Sequence, residues 1–171
     1  MKQVAVVIAD LFEDVEYTSP VDALKEEGHK VITIGHEQGE TVTGKQEKTQ
    51  FNVDKGIDQV HADDFDALLI PGGFSPDILR GDDRFVAFAK AFMDDKKPVF
   101  AICHGPQLLI TAKAIEGRKA TGYTSIKVDM EYAKATYLDQ EVVVDQDQLV
   151  TSRTPDDLEA FNRESINLLK K

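Results

Sequence analysis

"KPVFAICHGPQLLITAKA", Lys97 to Ala114, decides the fold. Its first half, KPVFAI, is a short apolar run suited to a buried strand, and it stops at Cys103. The second half has helical period, with Gly105 relieving crowding at the turn and Pro106 suited to a first helical position. A strand that turns abruptly into a helix is the repeating unit of a parallel sheet covered by helices. The same alternation recurs along the chain. Strand candidates are Gln3 to Ala9, Lys30 to Gly35, Ala67 to Pro71 and Pro98 to Ile102. The expected class is α/β, a mainly parallel sheet with helices on its faces.

Around these strands, SPVDALKEEGH offers Ser19 as an N-cap, Pro20 at the first helical position and Gly28 as a stop. A helix that begins near Glu13 and bends at Pro20 fits the residues equally well. TVTGKQEKTQFNV reads as a small hairpin attached to the main sheet, and EVVVDQDQLVTS as a second hairpin around Asp145 to Asp147. Phe85, Phe88, Ala89 and Phe92 fall at helical spacing and are read as core. Thr154, Pro155 and Asp157 start a last helix, with Leu158, Phe161, Ile166 and Leu169 facing inward. No repeat, low-complexity segment or linker interrupts the chain, so residues 1–171 are expected to form one domain.

Bulk composition narrows the function. Lysine and arginine number 20 against 31 acidic residues, a net charge of −11, which argues against a stable nucleic-acid complex. The apolar stretch Val4 to Ala9 is too short for a signal-peptide core or a membrane span, so a cytoplasmic protein with no membrane contact is expected. The chain has 1 cysteine, hence no intrachain disulfide and a free thiol that is either packing or chemistry. No metal-ligand spacing is visible, and no cofactor is expected.

Ligands of an open parallel sheet bind beyond the carboxyl ends of its strands. Glu13, Asp14 and Glu16 follow the first strand, Gly72, Gly73 and Asp77 the third, and Cys103 with His104 the fourth. A cysteine is more often a small core residue than a nucleophile. Here it occupies a strand-to-helix elbow of the kind that lifts a nucleophile out of a sheet, although Ala101 stands where such elbows carry glycine. The following helix's dipole is expected to lower the thiol pKa. Of the 4 histidines, His29 and His61 precede strands and belong at the opposite end, and His36 reads as a surface residue. His104 is left as the base, its alternative being a capped helix-terminal histidine. The amides of Gly73 and His104 could together form an oxyanion hole, while a Gly-Gly pair is otherwise only a turn. Asp77 follows a helix start capped by Ser75, and a purely structural role there is stabilising that terminus.

Taken together, AICHGPQLLI, LLIPGGFSPDILRGD, FEDVEYTSP, EEGHKVITI and EVVVDQDQLVTSRTPDDLEAFNRE resemble the PfpI family of intracellular cysteine peptidases and protein deglycases, over nearly the whole chain. The resemblance implies a flavodoxin-like three-layer sandwich of the class I glutamine-amidotransferase type. It implies Cys103 as nucleophile, His104 as its catalytic partner and Glu16 as the carboxyl that hydrogen-bonds the thiol. In the peptidases a glutamate from a neighbouring subunit completes a triad. The matching position here is Asp77, one methylene shorter, which implies a homo-oligomer, at least a dimer and up to a hexamer. Gln107 also fits an amidotransferase elbow, but those enzymes draw a histidine from far downstream and none follows His104. An ionised Glu16 would raise the thiol pKa, whereas a protonated one can donate to a thiolate; the protonated form is expected.

Three functions follow from this resemblance. The first is a cofactor-independent hydrolase of reactive carbonyls such as methylglyoxal and of early glycation adducts on proteins, with Arg153 binding an anionic product; a surface salt bridge is the competing role for Arg153. The second is a cysteine peptidase that needs Asp77 from another chain. The third is a non-enzymatic oxidation sensor or stress chaperone, since an accessible thiol of low pKa is readily oxidised.

Overall fold

The computed structural model describes all of residues 1–171. Eleven strands appear in chain order: β1 (Gln3–Val7), β2 (Lys30–Gly35), β3 (Thr41–Thr43), β4 (Gln50–Asn52), β5 (Lys55–Gly56), β6 (Ala67–Ile70), β7 (Val99–Ile102), β8 (Lys119–Ala120), β9 (Thr136–Tyr137), β10 (Val143–Asp145) and β11 (Leu149–Ser152). The α-helices are α1 (Asp14–Glu26), α2 (Ser75–Arg80), α3 (Asp83–Asp94), α4 (Pro106–Thr111), α5 (Lys127–Tyr132) and α6 (Leu158–Leu169). Seven strands form one sheet in the order β10-β11-β7-β6-β1-β2-β5, parallel throughout except for the edge strand β10.

Period-two alternation explains the layers. Val4 and Val6 of β1 face a core with Tyr17, Val21, Leu24 and Phe161, from α1 and α6. Ala5 and Val7 face the opposite core, built on Phe85, Phe88, Phe92 and Leu108 from α3 and α4. Strands covered on both faces bury both sets of side chains, which is why β6 and β7 read as unbroken apolar runs. Phe92 is fully buried, and truncating it to alanine would cost about 3–5 kcal/mol. The result is a flavodoxin-like sandwich. No helix is long and apolar enough to cross a membrane.

From β1 the chain moves outward to β2 and β5, then returns to β6 on the other side of β1 and continues to β7 and β11. The order therefore reverses between β1 and β6, which opens a crevice at their carboxyl ends. Beyond those ends Phe12 and Gly73 form an isolated antiparallel bridge that joins the two outgoing loops.

One open alternative is decided and two local expectations are corrected. α1 starts at Asp14 and runs through Pro20, which is buried with Tyr17, Val21 and Leu24; core packing offsets the lost Pro20 N–H, so the earlier start prevails over a Ser19 cap. β3 and β4 form their own ribbon rather than part of the main sheet, and only β5 joins it, beside β2. Ser75 is the first residue of α2, not its cap; its buried Oγ accepts the Ala9 N–H at 2.9 Å and ties the β6 loop to the end of β1. The second hairpin forms as expected. Gln146 and Asp147 take φ of 53° and 50°, the left-handed pair that matches strand twist, and β11 is thereby laid beside β7.

Candidate active site

Cys103 stands at the carboxyl end of β7 with φ of 62°, a left-handed backbone uncommon for a residue with a Cβ. Its N–H donates to Ser152 O on β11 at 3.0 Å, and its carbonyl accepts the Tyr123 N–H at 2.8 Å, so the strained turn is held from both sides. Gly105 is needed one step further on: a Cβ there would lie 2.5 Å from the Ile70 carbonyl of β6. Pro106 then begins α4.

The elbow brings the thiol to His104. Cys103 Sγ lies 3.5 Å from His104 Nδ1, and His104 Nε2 lies 3.2 Å from Ser125 Oγ. The imidazole also stacks on Tyr123, with ring centroids 5.0 Å apart. Burial, followed by the positive charge of Lys45, lowers the His104 pKa, which leaves the ring neutral near pH 7 with a nitrogen lone pair free. The other histidines stand apart from the thiol, as their positions in the sequence foretold. His29 accepts the Lys2 N–H, and His61 precedes the helical turn leading into β6. His36 lies 3.6 Å from Asp82 and packs edge-on to Phe85, so it is only partly a surface group.

Glu16 comes from the first turn of α1 and is fully buried. Its Oε1 accepts the Gly72 N–H at 2.9 Å, while Oε2 has no hydrogen-bond partner. Burial, with the nearby Glu13 charge adding to it, pushes the Glu16 carboxyl up to about 8, so it is mostly protonated at neutral pH. The thiol departs from expectation. Burial, then the proximity of Glu16, drives the Cys103 pKa well above its ordinary value, outweighing the His104 N–H. Cys103 is thus not a standing thiolate in the resting protein; it needs a base to take its proton.

The glycine pair sits against the elbow. A Cβ on Gly72 would lie 2.5 Å from Glu16 Oε1 and 3.0 Å from both Cys103 Cβ and His104 N. Gly73 has φ of 78°, and a Cβ there would meet the backbone of Leu11 and Glu13 at 2.5 Å. In the Phe12–Gly73 bridge the hydrogen bonds run from Glu13 N to Gly72 O and from Phe74 N to Leu11 O. Gly73 therefore occupies the non-hydrogen-bonded position of that bridge, and its own N–H is left for a ligand.

Lys45, Gly73, Phe74, Asp77, His104 and Gln107 line a cleft of about 300 Å³ at this point. Asp77 is exposed on its rim, and the Gln107 Oε1 is buried without a partner. Arg153 is placed otherwise: it does not line the cleft, and its guanidinium forks onto Asp157 at 3.0 Å and reaches Asp139 at 2.9 Å. These carboxylates take three of its five N–H groups, the arrangement of a salt bridge. No group of three or more histidine, cysteine, aspartate or glutamate side chains converges as a metal site would require.

Sequence reading missed Lys45, Phe74, Tyr123 and Ser125. Tyr123 and Ser125 come from the segment after β8, and nothing in their local pattern marks them. Lys45 is signalled only through Asp14, whose buried carboxylate accepts the Gln46, Glu47 and Thr49 amides and fixes the ribbon tip over the cleft.

Known proteins bear on this site. The chain is 68% identical over 170 residues to general stress protein 18 of Bacillus subtilis, covering 99% of both chains. It is 59% identical over 168 residues to protein/nucleic acid deglycase 2 of Escherichia coli, covering 98% of each, and 60% identical over 169 residues to the putative cysteine protease YraA of Bacillus subtilis, covering 99% of each. Residues 2–168 match the DJ-1/PfpI family, and the chain belongs to it.

Proposed function

We propose that this protein is a cofactor-independent cysteine hydrolase of reactive carbonyls, acting on methylglyoxal and on early glycation adducts of proteins in stress protection. The supporting observation is the Cys103 Sγ to His104 Nδ1 approach of 3.5 Å at a strained elbow, beside the unpaired Gly73 amide. The names of relatives, a stress protein and a deglycase, agree with it.

In this reading Cys103 adds to the aldehyde carbon of methylglyoxal while its proton passes to His104 Nδ1. The oxyanion is met by the amides of Gly73 and His104. Protonation gives a hemithioacetal. His104 and neutral Glu16 then move the proton on the former aldehyde carbon to the neighbouring ketone carbon, by way of an enediol. The product is a lactoyl thioester, which water cleaves to lactate and free thiol. On a glycated amine the thiol displaces the amine from the carbinol carbon, and both routes meet at the same hemithioacetal. A His104 held neutral by burial suits this sequence, because it must accept a proton before it returns one.

A second reading, a cysteine peptidase, is favoured by Asp77. It is exposed on the rim of the cleft that His104 also lines, where a second chain could bring its own Asp77 to His104, and one relative is named a putative cysteine protease. Peptide cleavage by this route requires a homo-oligomer, whereas small carbonyls do not. Methylglyoxal, a glycated peptide and a fluorogenic peptide assayed in parallel, with wild type and Cys103→Ala, separate the readings. The expected result is turnover of the first two, lowered roughly a thousandfold or more by the substitution. Carbonyl turnover that survives loss of Cys103 overturns the assignment, and cleavage of the fluorogenic peptide alone selects the peptidase.

A further inference from the structure

Among the residues lining the cleft there is one cation, Lys45, in a chain of net charge −11 whose overall field repels anions. Its support is unusual for an exposed loop lysine. The Lys45 N–H donates to Phe12 O and the Gly44 N–H to Thr49 O, both at 2.8 Å. On the other side of the tip, Asp14 accepts the amides of Gln46, Glu47 and Thr49 at 2.8, 3.3 and 3.0 Å. Gly44 has no Cβ because the Asp14 carboxylate fills that space. Further down the ribbon, Thr43 O accepts the Leu11 N–H and the Thr43 N–H donates to Asp10 Oδ1.

Glu13 Oε2 lies 3.4 Å from Lys45 Nζ. A single ion pair with a half-exposed lysine is worth little and does not explain so much anchoring. It leaves two of the three ammonium protons for another acceptor. Lys45 shares the cleft with His104 and with the unpaired amide of Gly73, where an oxyanion would form. With Glu13 at Lys45 and Asp77 on the rim the cleft has no net positive charge, which disfavours a dianion such as phosphate; what Lys45 offers is its two remaining N–H donors, enough for one carboxylate.

We propose that Lys45 is an anion-recognition residue of this cleft and that the site takes carbonyl compounds bearing a carboxylate. This rests on Cys103 being the nucleophile. The thiol adds across the aldehyde C=O: the S–C bond forms, the carbonyl π bond breaks, and the thiol proton reaches the oxygen by way of His104. The product is a hemithioacetal whose carboxylate lies at the Lys45 ammonium.

Iodoacetate and iodoacetamide are nearly isosteric, alkylate a thiol with loss of iodide, and differ in carrying a carboxylate or a neutral amide. The measurement is the ratio of their rate constants at Cys103, followed by mass spectrometry, in wild type, Lys45→Met and Lys45→Arg. The ratio is internal to each protein, so a general change in thiol reactivity cancels. Lys45→Met is expected to lower the iodoacetate to iodoacetamide ratio roughly tenfold, and Lys45→Arg to keep it within about twofold of wild type. An unchanged ratio in Lys45→Met, or an equal fall in Lys45→Arg, overturns the inference while leaving Cys103 as nucleophile. If wild-type Cys103 reacts with neither reagent, the thiol is closed to small carboxylate-bearing electrophiles and the inference falls, while the nucleophile assignment is decided separately by the Cys103→Ala carbonyl assay.

Discussion

Asp14 and Glu16 stand two residues apart in the first turn of α1, both buried, and the fold gives them opposite charge states. Burial alone raises both carboxyls. Around Asp14 the amides of Gln46, Glu47 and Thr49 outweigh that effect and hold the group at about 2. Around Glu16 a single amide, that of Gly72, does not, and the group rises to about 8. Each carboxyl is also faced by a glycine, Gly44 for Asp14 and Gly72 for Glu16, whose missing Cβ makes the room. Deeper burial with one donor, against shallower burial with three, separates a neutral acid beside a thiol from an anion that builds a loop.

The largest test of that contrast is Glu16→Gln. Glu16 binds its proton up to about 8 in the folded state but only to 4.5 by its ordinary value. Its contribution to stability is therefore complete below 4.5 and is lost as the pH rises through 8. The span is 8 − 4.5 = 3.5, which corresponds to about 5 kcal/mol. Urea denaturation between about pH 5 and pH 8.5 should show wild type weakening over this window and Glu16→Gln staying nearly level. Parallel declines in the two proteins would mean that Glu16 is ionised in the native state.

Gly72→Ala comes next. Its Cβ would lie 2.5 Å from Glu16 Oε1 and 3.0 Å from Cys103 Cβ, so the carboxyl or the elbow must move. The expected loss is about 3 kcal/mol, the upper end for forcing a methyl into packed space. Slower alkylation of Cys103 by iodoacetamide should accompany it, and a variant as stable and reactive as wild type would show that the site is looser than drawn.

Asp14→Asn probes the other carboxyl, and the sign reverses. Asp14 stabilises the fold above 3.8, and that stability is lost as the pH falls through 2. The difference, 3.8 − 2 = 1.8, corresponds to about 2 kcal/mol. Denaturation midpoints of Asp14→Asn and wild type should differ most near neutrality and converge as the pH drops from about 4 to 2. A gap that persists unchanged in acid would assign the cost to shape rather than to charge.

How much of this was legible follows from where each interaction is encoded. β6 and β7 were plain because a strand buried on both faces writes itself as an unbroken apolar run, and the Cys103 elbow because Gly105 and Pro106 follow it directly. Glu16, Gly72 and Gly73 could be placed at the right strand ends by the parallel-sheet rule. The thiol's charge state was misjudged because dipole and position are local, whereas burial is set by the whole fold. Lys45 and Ser125 escaped for a related reason: Lys45 reaches the cleft, and Ser125 reaches His104, through contacts between segments distant in sequence, such as Asp14 to the ribbon tip and Tyr123 to the elbow. For Arg153 the sequence left an anion-binding role open beside the salt bridge, because its partners Asp139 and Asp157 are brought to it only by the fold.

The smallest expected effect belongs to Lys45→Met, and its smallness is what makes it informative. The lysine side chain is 37% exposed and pairs with a single carboxylate at 3.4 Å, a geometry in which solvent screens most of the attraction. Removing it should change stability by no more than about 0.5 kcal/mol. The ribbon tip is held by backbone amides on Asp14 and by the Lys45 N–H on Phe12, none of which the substitution touches. Asp14→Asn and Lys45→Met thus divide the loop into its scaffold and what the scaffold carries. A loss for Lys45→Met as large as that for Asp14→Asn, measured by the same urea titration at pH 7, would make the Glu13 pair part of the scaffold. Asp14 would then share the scaffold with that pair instead of carrying it alone.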